Sequence, residues 1–422
     1  MQRADHTTSQ CRSLVLLAVT LLTLFHCSNG LSVDKSSRSA WRPLPHVPDR
    51  REILASGAAI ATGATAGSGG GGILPPVANA AETTALDGQG QRNNIRSVAS
   101  INSHPVIPVW PSWAGGRVVP VSFSNDNEDP FLLLAHHKHW FDPRDPFREP
   151  FKAVGKSLGL PYVDVEGFSM HPHRGMDILT YVLDGSDGFR HKDSLGGSRI
   201  YRGGCAQWMR TGAGVMHQEF WETREDRRTN IELFQLWVNL PSQQKFDPPA
   251  VRYVGASTDA PWKEQQQKGV HVRDVGSTLE AALQKNVDNN KDEVKERPPI
   301  QIQHIQILMG ASWDIAVPST HSAMIYVREG TALLGSNEVK SLQSATFNSD
   351  GDAVRLRNTQ RRTLDLLFLS GKPLREPVAM GGPIVMNTEQ EIYDAYRQLS
   401  DGTFLDRDVA LQQQSVTSKR FG

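Results

Sequence analysis

Along most of the chain, short runs rich in β-branched and aromatic residues are separated by Gly, Pro, Asn and Asp. The runs GGRVVPVSF, DILTYVLDGSDG, FQLWVNLP, AMIYVREGTALLG, AVRLRN and LDLLFLSG predict strands, and their density predicts an all-β chain built as a sandwich or small barrel. A clear helical pattern comes late. Thr388 and Glu391 form a T-x-x-E capping box, Ile392, Tyr396 and Leu399 recur at helical spacing, and Gly402 supplies a stop. That helix should pack against a β domain. The stretch ILTYVLDGS (178–186) is echoed by MIYVREGTA (324–332), each an apolar strand followed by an acidic residue and a glycine turn, so the chain reads as two similar units. Between them NVDNNKDEVKERPP (286–299) is polar, charged and proline-ended, as a linker would be.

Composition narrows the partners. The 422 residues include 45 basic and 45 acidic side chains, 36 Gly and 25 Pro, enough for one large or two ordinary domains. Balanced charge, without a Lys/Arg cluster, gives no pull toward nucleic acid or an anionic membrane surface. The run GSGGGG (67–72) is no phosphate loop, because no G-K-[ST] follows it. Gly212-Ala213-Gly214 likewise lacks the helix and third glycine of a dinucleotide site.

The first eighty residues read as addresses. Arg3 and Arg12 precede the apolar SLVLLAVTLLTLF (13–25), the layout of a secretory signal over 1–30. Residues 31–80 read as a transit segment followed by a twin-arginine signal: Arg50 and Arg51, a weakly apolar Ala/Gly tract, and an A-x-A cleavage pattern at Ala78-Asn79-Ala80. The order resembles the three-part presequences that route proteins through secondary plastids to the thylakoid lumen. Secretion is the competing destination. Removal of Cys11 and Cys27 with these segments leaves Cys205 as a single thiol, so the mature chain forms no internal disulfide and is expected to bury Cys205 as an inert side chain.

Two pairs of metal-binding side chains stand two residues apart: His171 and His173 in HPHRG, and His217 and Glu219 in GAGVMHQEF. Residues i and i+2 of a strand share a face, whereas a helix sets them about 200° apart. Two strands of one sheet could therefore aim four ligands into one cavity. Pro172 puts the first pair at an edge or barrel mouth. Three imidazoles and a carboxylate, without a thiolate, argue against a structural zinc cluster and favour a redox ion with open positions, above all iron(II), with manganese, copper and nickel as alternatives.

The ordered segments HPHRGMDILTYVLDG, HKDSLG, QWMRTGAGVMHQEF and FQLWVNLP, with GKPLREPVAMGGPIVMNTEQEI (371–392) later, resemble the pirin family of the cupin superfamily. The resemblance implies a bicupin: two cupin-type β-sandwich barrels face to face with a short C-terminal helix. It implies iron, Fe(II)/Fe(III), in the N-terminal barrel on His171, His173, His217 and Glu219. The expected organisation is an N-terminal metal-binding cupin over 110–245, a linker and start of the second domain over 246–300, a metal-free C-terminal cupin over 301–410 and a tail over 411–422.

Departures from the family fall around the ligands. Met176 and Asp177 stand where an aromatic residue and Glu are usual, Cys205 and Ala206 where Asp and an aliphatic residue are usual, and 135–161 is longer than the family loop. Within it His136, His137 and His139 read as a polar surface insertion in preference to a second metal site; His191 reads as a pocket-edge or turn residue; Trp208, Met209 and Trp237 read as core. Two functions fit. One is quercetinase-like dioxygenase chemistry on a flavonol or catechol, with dioxygen as co-substrate and Glu219 as ligand and proton acceptor. The other is a non-catalytic protein whose surface responds to the oxidation state of iron; routing out of the cytosol argues against the nuclear version of that role. The expected mature form is a monomer without membrane or nucleic-acid partners.

Overall fold

The structure, a computed structural model, describes residues 94–108, 115–123, 127–146, 167–276 and 299–411. The presequence segments, most of the 135–161 stretch, the 286–299 linker apart from its last residue and the tail beyond 411 lie outside the described residues. Among the described residues no helix is long and apolar enough to cross a membrane.

Four large sheets are present, two of seven strands and two of four. The first seven-stranded sheet runs Ala250–Val254, Ala206–Arg210, Met176–Val182, Thr229–Asn239, Phe131–Phe141, Gly116–Ser122, Ile107–Pro108; the second runs Val98–Ser103, Gln343–Phe347, Ser322–Glu329, Leu364–Gly371, Ile300–Ile307, Val270–Asp274, Lys263–Glu264. Position by position the two orders correspond, and so do the four-stranded sheets, Gly167–His173, Val215–Trp221, Phe189–Asp193, Ser198–Tyr201 against Ser312–Ala316, Ala353–Arg357, Thr331–Leu334, Asn337–Lys340. The echoed segments, Met176–Val182 and Ser322–Glu329, both hold third place. Val98–Ser103 completes the C-terminal sheet, so the start of the described chain is bound to its second half.

Each seven-stranded sheet buries both faces. One face of each meets the other sheet, where Leu179, Tyr181, Trp208 and Phe234 pack with Ile302, Met324, Tyr326 and Leu367 in a single cluster. The opposite face of the C-terminal sheet closes on its four-stranded partner over an apolar filling that includes Ile305, Ile315, Ile325, Val354, Leu366 and Phe368. The N-terminal barrel is filled differently. Its apolar residues form two separate clusters, one around Ile178, Met209, Val215 and Trp237 and one around Val182, Phe189, Trp221 and Leu233. Ladder registers locate the difference: Val182 faces Leu233 as Val327 faces Leu366. On that alignment Thr180, Gln207 and Gln235 occupy the places of Ile325, Ala345 and Phe368.

His136, His137 and His139 are not a surface insertion. They lie buried in the strand Phe131–Phe141, which continues seven residues into the stretch read as a loop. Alternation along that strand splits them. His137 and His139 face the barrel interior, hydrogen-bonded to each other at 3.0 Å beside Trp221, whereas His136 faces the other barrel. There it pairs with Glu232 through Nε2 and with the Tyr326 hydroxyl through Nδ1. His304 does the same from the other side, with Asp365 through Nε2 and the Tyr181 hydroxyl through Nδ1. His136 and His304, Tyr181 and Tyr326, and Glu232 and Asp365 are equivalent positions of the two sheets. Each barrel therefore offers a tyrosine to the other barrel's histidine–carboxylate pair, and Arg328 reaches both carboxylates. Burial drives His136 down to about 4, against the pull of Glu232, and Glu232 itself is held at about 2 by His136 and Arg328 despite its own burial. The pair's acceptor and donor roles follow: a carboxylate accepts from Nε2–H, so Nδ1 accepts the tyrosine proton.

Replacing Tyr326 with Phe should leave the buried Nδ1 of His136 without a donor and lower stability by about 1–3 kcal/mol. Urea unfolding of Tyr326→Phe and of the symmetric Tyr181→Phe tests this; two variants as stable as the parent would show that the cross-barrel bonds contribute nothing.

Candidate metal centre

The strands that carry the two predicted pairs are neighbours. Gly167–His173 is the edge strand of the N-terminal four-stranded sheet, as Pro172 requires, and it pairs antiparallel with Val215–Trp221. His171 lies directly opposite His217, and Val215 opposite His173. A bulge between His217 and Glu219 then puts Glu219 opposite Phe168.

Glycine and arginine set the turns at the ends of these strands. Gly175, at φ +79°, brings the chain against the strand Ile384–Met386, where a Cβ would meet the Val385 carbonyl at 2.0 Å. Gly212, at φ +44°, lies as close to the Asp247 carbonyl. Buried Arg174 donates to the Ala213 and Phe404 carbonyls and stacks over the Phe404 ring. Those bonds tie HPHRG to the TGAG loop and to the C-terminal segment. The helix Glu389–Asp401 has the expected capping box at Thr388 and a left-handed stop at Gly402. It packs on the N-terminal barrel, with Ile392, Ala395 and Tyr396 against Ala213, Met216 and Phe246.

The three imidazoles converge. Ring centroids of His171, His173 and His217 are 4.3, 4.8 and 4.9 Å apart, and one nitrogen from each lies within 4.8 Å of the others. His173 and His217 are buried and His171 sits at the rim, partly exposed. Their outer nitrogens are committed. His171 Nδ1 faces the Ser169 carbonyl at 2.7 Å and His173 Nδ1 the Pro383 carbonyl at 3.0 Å. A carbonyl only accepts, so both rings carry their proton on Nδ1 and present a bare Nε2. His217 Nε2 is buried without a hydrogen-bond partner, a lone pair that costs free energy unless something binds it. Burial, and for His173 and His217 the neighbouring imidazoles, lowers all three below the usual histidine range, so the neutral, metal-competent form is the resting one.

Glu219 adjoins this set but is not within the same 4.8 Å cluster; it forms a second cluster with His217 and His191. Its carboxylate accepts from Thr180 Oγ1 at 3.3 Å and from Gln235 Nε2 at 3.0 Å. Burial raises its pKa, against these two donors. The polar side chains that replace Ile325 and Phe368 of the other barrel are thus the ones that hold the carboxylate.

His191 is neither a pocket-edge nor a turn residue. It is buried in the central strand Phe189–Asp193, directly across from Glu219, and Asp193 is directly across from His217. In the sequence His191 and Asp193 form a third pair two residues apart, so the same-face argument applied to HKD would have found them. Other core expectations hold: Trp208, Met209 and Trp237 are buried, with Trp237 edge-on to His173 at 5.6 Å. Cys205 is buried, its sulfur 3.0 Å from the Tyr253 hydroxyl. The unusual Asp177 is fully buried and accepts from Trp208 Nε1 and Arg210 Nε.

Comparison with known proteins gives one family. The Pirin family pattern matches residues 125–238, and the Pirin C-terminal cupin domain matches residues 302–405. The chain is 32% identical over 284 residues to a candidate quercetin 2,3-dioxygenase of Pseudomonas aeruginosa, covering 66% of this chain and 88% of that one. It is 32% identical over 244 residues to Pirin-1 of Arabidopsis thaliana, covering 56% and 78%. Among solved structures, a quercetin 2,3-dioxygenase from Acinetobacter baumannii aligns with a TM-score of 0.58 at 26% identity, over 74% of this chain and 99% of that one. By sequence, by its paired barrels and by these relatives, the chain belongs to the pirin family of cupins.

Proposed function

We propose that the N-terminal barrel binds one metal ion, iron(II) in first place, on His171, His173 and His217 with Glu219, and uses it for quercetinase-like dioxygenation of a flavonol or catechol. The observation that carries this reading is a cluster of three buried or rim imidazoles, two of which commit their Nδ1 protons to backbone carbonyls while the third, His217, has a buried Nε2 without a partner. Nitrogen and carboxylate donors without a thiolate suit iron(II), with manganese, copper, nickel or zinc as competitors for the same ligands. When bound, iron(II) supplies Lewis acidity toward a substrate hydroxyl and an electron donor for dioxygen.

The protein's own part is proton handling and exclusion of water. Glu219 is a buried carboxylate with a raised pKa, beside the imidazoles and fixed by Thr180 and Gln235. A flavonol or catechol O–H entering the site would pass its proton to that carboxylate, leaving the oxygen anionic and the ring electron-rich toward dioxygen. The hairpin of Ala379–Gly381 and Ile384–Met386 packs against HPHRG through the Arg174–Ile384 bridge and holds Pro383 over His173. The relatives named for quercetin 2,3-dioxygenase support the substrate class. The competing reading is a redox-responsive binding protein using the same metal without turnover.

Replacing His173 with Ala should remove most bound iron, by elemental analysis, from protein that keeps its fold; unchanged stoichiometry would refute the ligand set. Glu219→Gln, compared at matched iron occupancy, should lower oxygen uptake with flavonols or catechols by at least 10-fold, about 1.4 kcal/mol, while unfolding changes far less. A wild type without metal-dependent turnover on either substrate class would favour the binding role.

We also propose that the mature protein begins near Ala81, after export to the thylakoid lumen, on the strength of Arg50, Arg51 and the Ala78-Asn79-Ala80 pattern. N-terminal sequencing of native protein should read from Ala81; a start at Met1 or Leu31 would refute it.

A further inference from the structure

We infer that Asp193, acting through His191, fixes the tautomer of His217 and so holds its Nε2 open for metal, an inference that rests on the ligand set proposed above. His171 and His173 each hand their Nδ1 proton to a backbone carbonyl. For His217 the outer partner is another imidazole: its Nδ1 lies 3.5 Å from Nδ1 of His191. Two Nδ1 atoms facing each other leave the proton's position open, because either ring can donate. The next link removes the ambiguity. His191 Nε2 lies 2.8 Å from Asp193 Oδ2, and a carboxylate only accepts. Neutral His191 must then carry its proton on Nε2 and accept at Nδ1. His217 donates from Nδ1, and its Nε2 keeps the lone pair.

The chain of bonds is buried throughout, with His191 at 1%, Asp193 at 5% and His217 at 0% exposure, so water does not compete for either proton. Asp193 is itself clamped. Its Oδ1 accepts from the amides of Leu195 at 2.8 Å and Gly197 at 2.9 Å, which leaves Oδ2 aimed at His191. Asp193 is a positioning residue on this account. It touches neither metal nor substrate, and both of its effects pass through His191.

The clamp makes one substitution unusually informative. In Asp193→Asn the two amides still demand an acceptor, so the amide oxygen stays on them and the new NH₂ faces His191. That NH₂ donates to Nε2, which pushes the His191 proton to Nδ1 and the His217 proton to Nε2. A volume-conserving change at a residue that reaches His217 through His191 thereby blocks a ligand. His191→Phe instead removes the relay and leaves His217 free to take either tautomer, a milder defect. Because Asp193 acts only through His191, the double variant should behave like His191→Phe alone.

The test uses full-length mature protein and two readouts at one fixed pH. In metal-free protein, long-range ¹H–¹⁵N NMR should report His217 protonated on Nδ1 in wild type and on Nε2 in Asp193→Asn. In titrations with Co(II) alone, followed by its visible absorption, Asp193→Asn should bind about 10- to 100-fold more weakly than wild type, the usual range for loss of a partner behind a metal ligand. His191→Phe should lose less than Asp193→Asn, and the double variant should recover to the level of His191→Phe. Unchanged His217 tautomer in Asp193→Asn overturns the inference, as does a double variant weaker than both singles. Wild type that takes up no Co(II) would instead overturn the ligand set, and the NMR readout would still decide the relay. Far-UV circular dichroism melts on each variant separate these outcomes from failure to fold.

Discussion

A buried neutral imidazole has two nitrogens and one proton, and a fold must find a donor for one nitrogen and an acceptor for the other. This constraint separates the two histidines between the barrels from those of the candidate centre. Between the barrels His136 and His304 are completed by protein at both nitrogens, each with a carboxylate on one side and the opposite barrel's tyrosine on the other. Inside the N-terminal barrel His171, His173 and His217 are satisfied at Nδ1 only. The buried, partnerless Nε2 of His217 carries an energetic cost that a bound cation would offset. The Ser169 and Pro383 carbonyls keep the protons of His171 and His173 on the outer nitrogens, and the inferred relay from Asp193 does the same for His217.

Duplication explains how one barrel could acquire this property while the other did not. Both sheets share strand order and register, and both contribute to the apolar contact between them. In the C-terminal barrel Ile325, Ala345 and Phe368 complete a continuous apolar interior. In the N-terminal barrel Thr180, Gln207 and Gln235 stand at those positions and interrupt it, with Thr180 and Gln235 holding Glu219. A few side chains, with no change in topology, separate a packed core from a candidate centre.

Much of this was legible in the sequence because strand periodicity is local. Two residues apart means one face, so HPH and HQE declared shared faces, Pro172 declared an edge, and T-x-x-E declared a helix start. What the sequence hid was long-range. The histidines of AHHKH looked like a polar loop because four of those five residues read as hydrophilic, yet the strand Phe131–Phe141 runs through them and the partners Tyr326 and Glu232 are far along the chain. The pairing of Val98–Ser103 with the second barrel carries no local signal either. His191 was a different kind of miss. Its spacing to Asp193 marks a shared face in the sequence, and what only cross-strand register supplies is the placement of that face beside His217 and Glu219.

The claim on which the account turns is that the N-terminal barrel, through three Nε2 atoms, is the place where metal binds. Anomalous diffraction at the iron edge, from crystals of the mature protein reconstituted anaerobically with Fe(II), measures this directly. The account predicts one strong peak in contact with His171, His173 and His217 and none inside the C-terminal barrel. A peak at another group of side chains, or fully reconstituted crystals without a peak at these histidines, would contradict it.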